Sequence, residues 1–377
     1  MTAAPRAAGT VPVGDGAAGP RDATAEPLLV AAGLRKSFPL PGNRRMLAVD
    51  GVDLQLDRGE TLAVVGESGC GKSTLGRLIL RLQEADAGTL RLGGTDLRAL
   101  RGGALRAMRH RIQVVFQDPF ASLDPRQRIR DVLVRPMRLH GLCDGREALR
   151  RAALLMEQVG LSPAQLDRFP HQFSGGQRQR VAIARALSVQ PEVIVCDEPV
   201  SALDVSVQAQ VVNLLQDLQR DTGVALLFIS HDLAVVRHLA HRVAVMYAGR
   251  LVETAPAKRL FRDPRHPYTR ALLAAAPRTE VGARNHTPLG GEPPDPAAPL
   301  PGCRFAGRCP ETRAVCREGE HPPLRPVAPG QRSACLFAEV LPSLPEMATP
   351  GLEVGPVAAR IAAYRRARDR VPAAEDS

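Results

Sequence analysis

The sequence predicts an α/β fold built on a mostly parallel sheet, and three observations carry that prediction. Short apolar runs at 61–65 (TLAVV), 193–196 (VIVC) and 224–229 (VALLFI) are of the kind found in strands buried on both faces. After the first run, Leu75, Leu78, Ile79 and Leu82 recur at i, i+3, i+4 and i+7, which is one face of a helix. Between the other two, Val207, Val211, Leu214, Leu215 and Leu218 mark an amphipathic helix, so the order is strand, crossover helix, strand.

Composition bounds the function. The chain has 377 residues, 44% of them hydrophobic and 24% charged, an ordinary globular balance with ample material for a core. Aromatics are only 3%, with no Trp, so the core must come from Leu, Val, Ile and Ala. The formal charge of +11 is compatible with nucleic acid or an anionic surface. No dense basic run with interleaved aromatics accompanies it, so a nucleic-acid partner is not expected. No apolar run approaches the ~20 residues needed to span a bilayer. Residues 1–26 are rich in Ala, Gly and Pro without an apolar segment, and read as a disordered tail rather than a secretory signal. The ordered domain is expected over 27–262, with a helical subdomain about 118–175. A Pro- and Gly-rich connector over 288–302 leads to a Cys-rich segment within 263–341. The stretch 342–377 is expected to be mostly flexible, with a short helix about 358–370.

Three motifs carry chemistry. Gly66-Glu67-Ser68-Gly69-Cys70-Gly71-Lys72-Ser73-Thr74 fits the phosphate-binding loop G-x-x-x-x-G-K-[ST], placed between a strand and a helix as that loop requires. Its backbone N–H groups can surround phosphate oxygens, Lys72 can reach the β- and γ-phosphates, and Ser73 can ligand Mg²⁺. The VIVC strand ends in Asp197-Glu198. There Asp197 is placed to hold Mg²⁺, and Glu198 to orient the water that attacks the γ-phosphate. Between these lies Phe173-Ser174-Gly175-Gly176-Gln177, opening a helical run. Ser174 is expected to cap that helix and the two glycines to bare backbone N–H groups, making a second anion site. One domain has no use for two γ-phosphate sites. The second is therefore expected to close over the nucleotide of another copy in a dimer.

The Ser-Gly-Gly-Gln run between the two phosphate motifs resembles the signature of ABC ATPases, with Phe173 where Leu is usual. The resemblance implies an ABC-type P-loop ATPase core, with antiparallel strands added to the mostly parallel sheet, a helical signature subdomain and a small Cys-rich C-terminal extension, and it implies further roles. Gln117, in Val-Phe-Gln-Asp-Pro, resembles the glutamine that senses Mg²⁺ and the attacking water. Ser201-Ala202-Leu203-Asp204 resembles the loop that crosses the dimer interface, and His231 the switch histidine at the γ-phosphate. Phe38 stands where the family places a ring on adenine. The run from Asp263 to Leu272, with Gly302-Cys303-Arg304-Phe305 and Arg308-Cys309-Pro310, is similar to the C-terminal extension of oligopeptide and dipeptide importer ATPases. Together these likenesses imply an ATPase on the cytoplasmic face of the membrane, energising peptide import. Its implied partners are two permease subunits, a second and different ATPase subunit, and indirectly a solute-binding protein. Nickel or another small solute is the alternative cargo, an exporter is a weaker reading, and a soluble ATPase acting on nucleic acid or ribosomes is the rival class. Such soluble relatives carry two cassettes or a long insertion, and this chain has one cassette and no room for a coiled coil between Gln117 and Ser174.

Cys303, Cys309, Cys316 and Cys335 are separated by five, six and eighteen residues. Four thiolates suit a [4Fe–4S] cluster or tetrahedral Zn²⁺, and the C-x₂₋₄-C pairs usual for structural zinc are missing. The resemblance implies the iron–sulfur cluster first and zinc second, as a staple for a segment too Pro-rich to form its own core. Cys70, inside the phosphate loop, is expected to be reachable by alkylating reagents, with loss of ATP binding.

Overall fold

The computed structural model describes residues 26–42, 44–118, 122–275, 290–291, 294–295, 297 and 301–342. The two expected tails, save Glu26 and Pro342, and the helix expected near 358–370 lie outside them.

Two sheets organise the chain. The first is antiparallel, in the order β2 (Arg44–Leu56), β1 (Leu29–Leu40), β4 (Ala87–Leu92), β5 (Thr95–Asp96). The second has eight strands. Its parallel part runs β9 (Arg242–Tyr247), β3 (Thr61–Val65), β8 (Ala225–Ser230), β7 (Val193–Asp197), β6 (Ile112–Val115). Antiparallel β10 (Arg250–Pro256), β12 (Gln331–Ser333) and β11 (Arg325–Ala328) continue it from β9. The sheet is thus mixed, with its parallel part as expected, and β7 and β8 coincide with the two late apolar runs to within a residue.

Both faces of the parallel part are covered, which is why these strands read as unbroken apolar runs. Ala63, Val65, Ile194, Cys196, Leu226 and Phe228 face one core. Their neighbours Leu62, Val64, Val193, Val195, Leu227 and Ile229 face the other. Helix α1 (Lys72–Ile79) lies in the second core with the antiparallel sheet. The first core holds later helices: α3 (Ile129–Leu139) and α4 (Gly145–Gln158), which come after the short α2 (Gly102–Met108), then α5 (Gly175–Leu187), α6 (Val205–Thr222) and α7 (Leu233–Leu239).

The helix after the phosphate loop is shorter than its periodicity predicts. It ends at Ile79, Arg81 takes a left-handed φ of 54°, and Leu82 is 48% exposed instead of completing the apolar face. A residue three past a helix end cannot share its stripe, whatever the spacing says.

The Cys-rich segment does not stand alone. After α8 (Ala257–Arg262) and α9 (Pro267–Ala275) it returns to add β11 and β12 to the ATPase sheet, and Phe305 and Tyr268 enter the first core. Buried Glu253 on β10 ties the junction. Its carboxylate accepts from the N–H groups of Arg265 (2.7 Å) and His266 (2.9 Å) and from Gln331 Nε2 (2.8 Å). Burial, only partly offset by those donors, leaves Glu253 with a raised pKa.

Candidate nucleotide site

The phosphate loop is wedged between strands. A Cβ on Gly66 would meet Met246 O at 2.2 Å, and one on Gly71, whose φ is +108°, would meet Ala48 O at 2.1 Å. Neither position admits another residue, so the glycine spacing follows from close approach as much as from phosphate binding. Gly71 is the N-cap of α1 and supplies no side-chain cap. Ser68 and Gly69 are exposed, while Ser73 and Thr74 are half-buried in the first turn. Lys72 is buried, and its ammonium donates to Gly66 O (2.8 Å) and Glu67 O (2.9 Å), the loop's own carbonyls.

The parallel strands end at the same edge and deliver the other groups. Ser73 Oγ donates to Asp197 Oδ1 at 2.9 Å. Burial raises the Asp197 pKa, the Ser73 hydrogen bond partly offsets it, and the neighbouring Glu198 charge raises it further. Two acidic groups at one buried strand end, met by a hydroxyl, form a donor set that suits a hard divalent cation. Glu198 takes a left-handed φ of 50°, donates its N–H to Ile229 O (3.0 Å), and places Oε1 3.3 Å from His231 Nδ1. His231 is 57% exposed just beyond β8, next to Asp232, which caps α7 through the N–H groups of Ala234 and Val235. Gln117 is exposed two residues past β6. Phe38 is half-buried on β1 opposite Met46, with Lys36 Nζ 5.7 Å from its ring centre.

Ser174 caps α5 in a reciprocal box. Its Oγ accepts from the Gln177 N–H at 3.3 Å, and Gln177 Oε1 accepts from the Ser174 N–H at 3.0 Å. Gly176 serves packing: a Cβ there would meet Val207 Cγ1 of α6 at 2.3 Å, and one on Gly175 would touch Leu203. Of the two glycines expected to bare N–H groups, Gly176 is thus also needed where α5 presses on α6, while Gly175 has room for a Cβ. Phe173 is buried in the first core, where a large apolar side chain of either kind would be held.

One expectation needs correction. Cys70 is not an exposed thiol. It is 7% exposed beneath the loop, its Sγ is 3.9 Å from Lys72 Nζ, and burial raises its pKa, which suppresses the reactive thiolate. The four late cysteines are brought to one place. Cys303, Cys309, Cys316 and Cys335 do line one cavity of about 20 Å³, with Phe305 and His266. Burial raises the pKa of Cys303 and Cys335 and pushes Cys309 up to about 12. Among the described residues, however, no three His, Cys, Asp or Glu side chains come together closely enough to hold a single metal ion.

Residues that sequence reasoning missed stand behind the loop. Glu67 receives both guanidinium N–H groups of Arg308 and gives its own N–H to Tyr268. Asp50 gathers Arg250, Arg304 and Arg35. These partners lie up to 254 residues apart, so no local pattern announces them.

Comparison with known proteins agrees with this geometry. Residues 49–201 match the ABC transporter family, and residues 252–316 match the oligopeptide/dipeptide transporter C-terminal region. A probable peptide ABC transporter ATP-binding protein of Sinorhizobium fredii is 52% identical over 289 residues, 76% of this chain and 82% of that one. A putative oligopeptide transport ATP-binding protein of Bacillus subtilis is 48% identical over 82% of this chain and 95% of its own length. The glutathione import ATP-binding protein GsiA of Escherichia coli is 54% identical over 68% of this chain, but the match covers only 42% of GsiA. Among solved structures, the post-hydrolysis dimer of the ATP-binding cassette MJ0796 with ADP and Pi aligns with a TM-score of 0.56 at 28% identity, covering 61% of this chain and 98% of that one. Among the described residues no helix is long and apolar enough to cross a membrane. An ATPase core with this loop, this signature and this C-terminal region belongs to the family of ABC transporter ATP-binding proteins, in its oligopeptide/dipeptide branch.

Proposed function

We propose that the chain energises the import of di- and oligopeptides, docked on the cytoplasmic face of a membrane against two permease subunits and paired with a second, different ATP-binding subunit. A solute-binding protein would deliver the cargo. The observation that carries the cargo class is the match of residues 252–316 to the oligopeptide/dipeptide C-terminal region, which begins within β10 of the ATPase sheet. Relatives named for peptide and oligopeptide transport support it.

The residues take these roles. Lys72 leaves the carbonyls of Gly66 and Glu67 for the β- and γ-phosphate oxygens of ATP, while the N–H groups of 66–74 surround the phosphates. Phe38 packs on adenine. Ser73, Asp197 and Gln117 would hold Mg²⁺, which neutralises charge on the phosphates when bound. Glu198 accepts a hydrogen bond from the attacking water and polarises it, and His231, 3.3 Å away, fixes the carboxylate and faces the γ-phosphate. Ser174, Gly175, Gly176 and Gln177 close over the nucleotide of the partner cassette. Closure and reopening then pass to the permeases.

For the cysteine quartet we propose a [4Fe–4S] cluster ahead of Zn²⁺. Four soft donors line one cavity, and a quartet of thiolates is the ligand set such a cluster takes. Cys303, Cys309, Cys316 and Cys335 would hold it as a staple. Anaerobic purification should yield iron and labile sulfide, with zinc absent.

Uptake of labelled di- to pentapeptides by cells carrying Glu198→Gln tests the function. Loss of uptake with protein level intact is expected. Intact peptide uptake with loss of nickel or another solute would move the cargo and leave the ATPase in place.

A further inference from the structure

The C-terminal region reaches the phosphate loop at one residue. Every polar group of Glu67 is engaged. Its N–H donates to Tyr268 Oη at 2.8 Å, its carbonyl accepts from Lys72 at 2.9 Å, and its carboxylate takes a two-point contact from Arg308 at 2.7 and 2.9 Å. Within the loop, the Cys70 N–H also donates to the Glu67 carbonyl, at 3.3 Å. Tyr268 and Arg308 come from the C-terminal region, 201 and 241 residues away.

Both outside partners are held firmly. The Tyr268 side chain is fully buried on α9. Its ring packs with Tyr247 and Phe305 at centroid distances of 4.5 and 5.4 Å. Arg308 has a side chain only 6% exposed, and its Nε donates to Gly290 O at 3.1 Å. The hydrogen bonds and charge of Glu67 keep the guanidinium pKa above its ordinary value. Phe305, three residues before Arg308, is 1% exposed in the same aromatic cluster.

We infer that Tyr268 and Arg308 are positioning residues for ATP, acting through Glu67 as a brace between the C-terminal region and the phosphate loop. Two physical reasons support this. When Lys72 turns to the phosphates it abandons the carbonyls of Gly66 and Glu67, and beyond the 3.3 Å bond from the Cys70 N–H the Tyr268 and Arg308 contacts are what continue to hold Glu67 in place. Glu67 also places a carboxylate inside a loop built for a polyanion. Left unpaired, that charge repels the triphosphate, and Arg308 neutralises it with a rigid two-point pair. The inference rests on the ATPase reading.

ATP binding by the purified full-length chain, measured by calorimetry, tests the brace. Arg308→Met should weaken ATP binding about tenfold, the scale of one charge-assisted pair. Adding Glu67→Gln to that chain should restore affinity to within about threefold of wild type, because the repelling charge is gone. Tyr268→Phe, which keeps the buried ring and removes only the acceptor, should weaken binding about threefold to tenfold. Should Arg308→Met not fold, Arg308→Gln carries the same rescue. Affinity unchanged in Arg308→Met, or lowered but not rescued by Glu67→Gln, would overturn the brace, since a merely structural arginine is indifferent to the charge at 67. A wild-type chain that binds no ATP would overturn the ATPase reading as well, which separates the two failures.

Discussion

Two helix N-termini in this chain are proposed to meet phosphate, and they are finished differently. At α1 the cap is Gly71, which offers no side chain to the first turn, and Lys72 folds back onto the loop's own carbonyls. At α5 the cap is Ser174, whose hydroxyl is already committed to the Gln177 N–H while Gln177 closes the box in return. The first end therefore needs only Lys72 to swing before it can take ATP. The second can keep its capping bond, because a hydroxyl that accepts from an N–H still has its own hydrogen to donate, but it takes phosphate only when another cassette presents one. On the proposed function this sets an order: ATP binds first at the loop, and the signature end is recruited when a second cassette brings a nucleotide to it.

The largest effect should come from Glu198→Gln, which removes the carboxylate that polarises water and leaves both N-termini whole. Steady-state hydrolysis should fall by about 10²–10⁴-fold while ATP binding persists. With turnover stopped, ATP should hold cassettes together, so sedimentation with and without ATP reads the signature end directly. Hydrolysis at the wild-type rate would remove Glu198 from the mechanism.

Lys72→Met breaks the comparison from the loop side. Two charge-assisted contacts to phosphate are lost, so ATP affinity should drop by about 10²-fold. The melting temperature without nucleotide should change little, and ATP should no longer raise it. An ATP-induced stabilisation that survives in Lys72→Met would mean that the lysine holds the empty loop and little else.

Ser174→Ala addresses the other end. It should cost about 1 kcal/mol of stability through the lost cap. ATP binding by the single chain should be unaffected, and hydrolysis should fall roughly tenfold, the value of one contact of about 1.4 kcal/mol. In the Glu198→Gln background it should weaken the ATP-dependent dimer. Weaker ATP binding by the single Ser174→Ala chain would contradict the proposed order.

How much of the molecule is legible in its sequence depends on how local the chemistry is. The phosphate loop, Asp197-Glu198 and the Ser174 box are contiguous runs whose geometry comes from strand ends and helix starts, so motif and periodicity are enough to place them. The apolar runs of β3, β7 and β8 announce a sheet covered on both faces, and it is. The true end of α1 is not legible, because Leu82 continues the spacing while Arg81 breaks the backbone with φ +54°. The reach of the C-terminal region is not legible either. Strands β11 and β12 are three or four residues long, and Glu67, Asp50 and Glu253 meet partners that only the closed sheet brings near. The burial of Cys70 escapes the sequence because a loop position says nothing about which way a thiol points.

Asp50 allows the sharpest separation of the two ends by pH, with the smallest expected effect on turnover. It is 5% exposed, accepts from Arg250 at 2.8–2.9 Å, and is met by Arg304 from the C-terminal region and by Arg35 at 3.5 Å. Its N–H donates to Gly249 O, and the Gly249 N–H donates to Cys70 O, so the cluster backs the phosphate loop and makes no part of α5. Burial alone would raise the Asp50 pKa, but the Arg250 hydrogen bond and charge, with those of Arg304 and Arg35, bring it below the ordinary 3.8. A depressed carboxylate stabilises the fold above the unfolded value near 3.8, and that contribution fades as pH falls through the lower folded value. Asp50→Asn should therefore cost about 3–5 kcal/mol at pH 7, where three guanidinium groups lose their shared anion. The deficit against wild type should shrink as the pH drops below about 4. Denaturant unfolding of both chains at neutral and acid pH measures it. A deficit equal at both pH values would mean that Asp50 acts by shape and hydrogen bonding alone, and a loss of the ATP-dependent dimer larger than the loss of ATP affinity would mean that the cluster reaches the signature end after all.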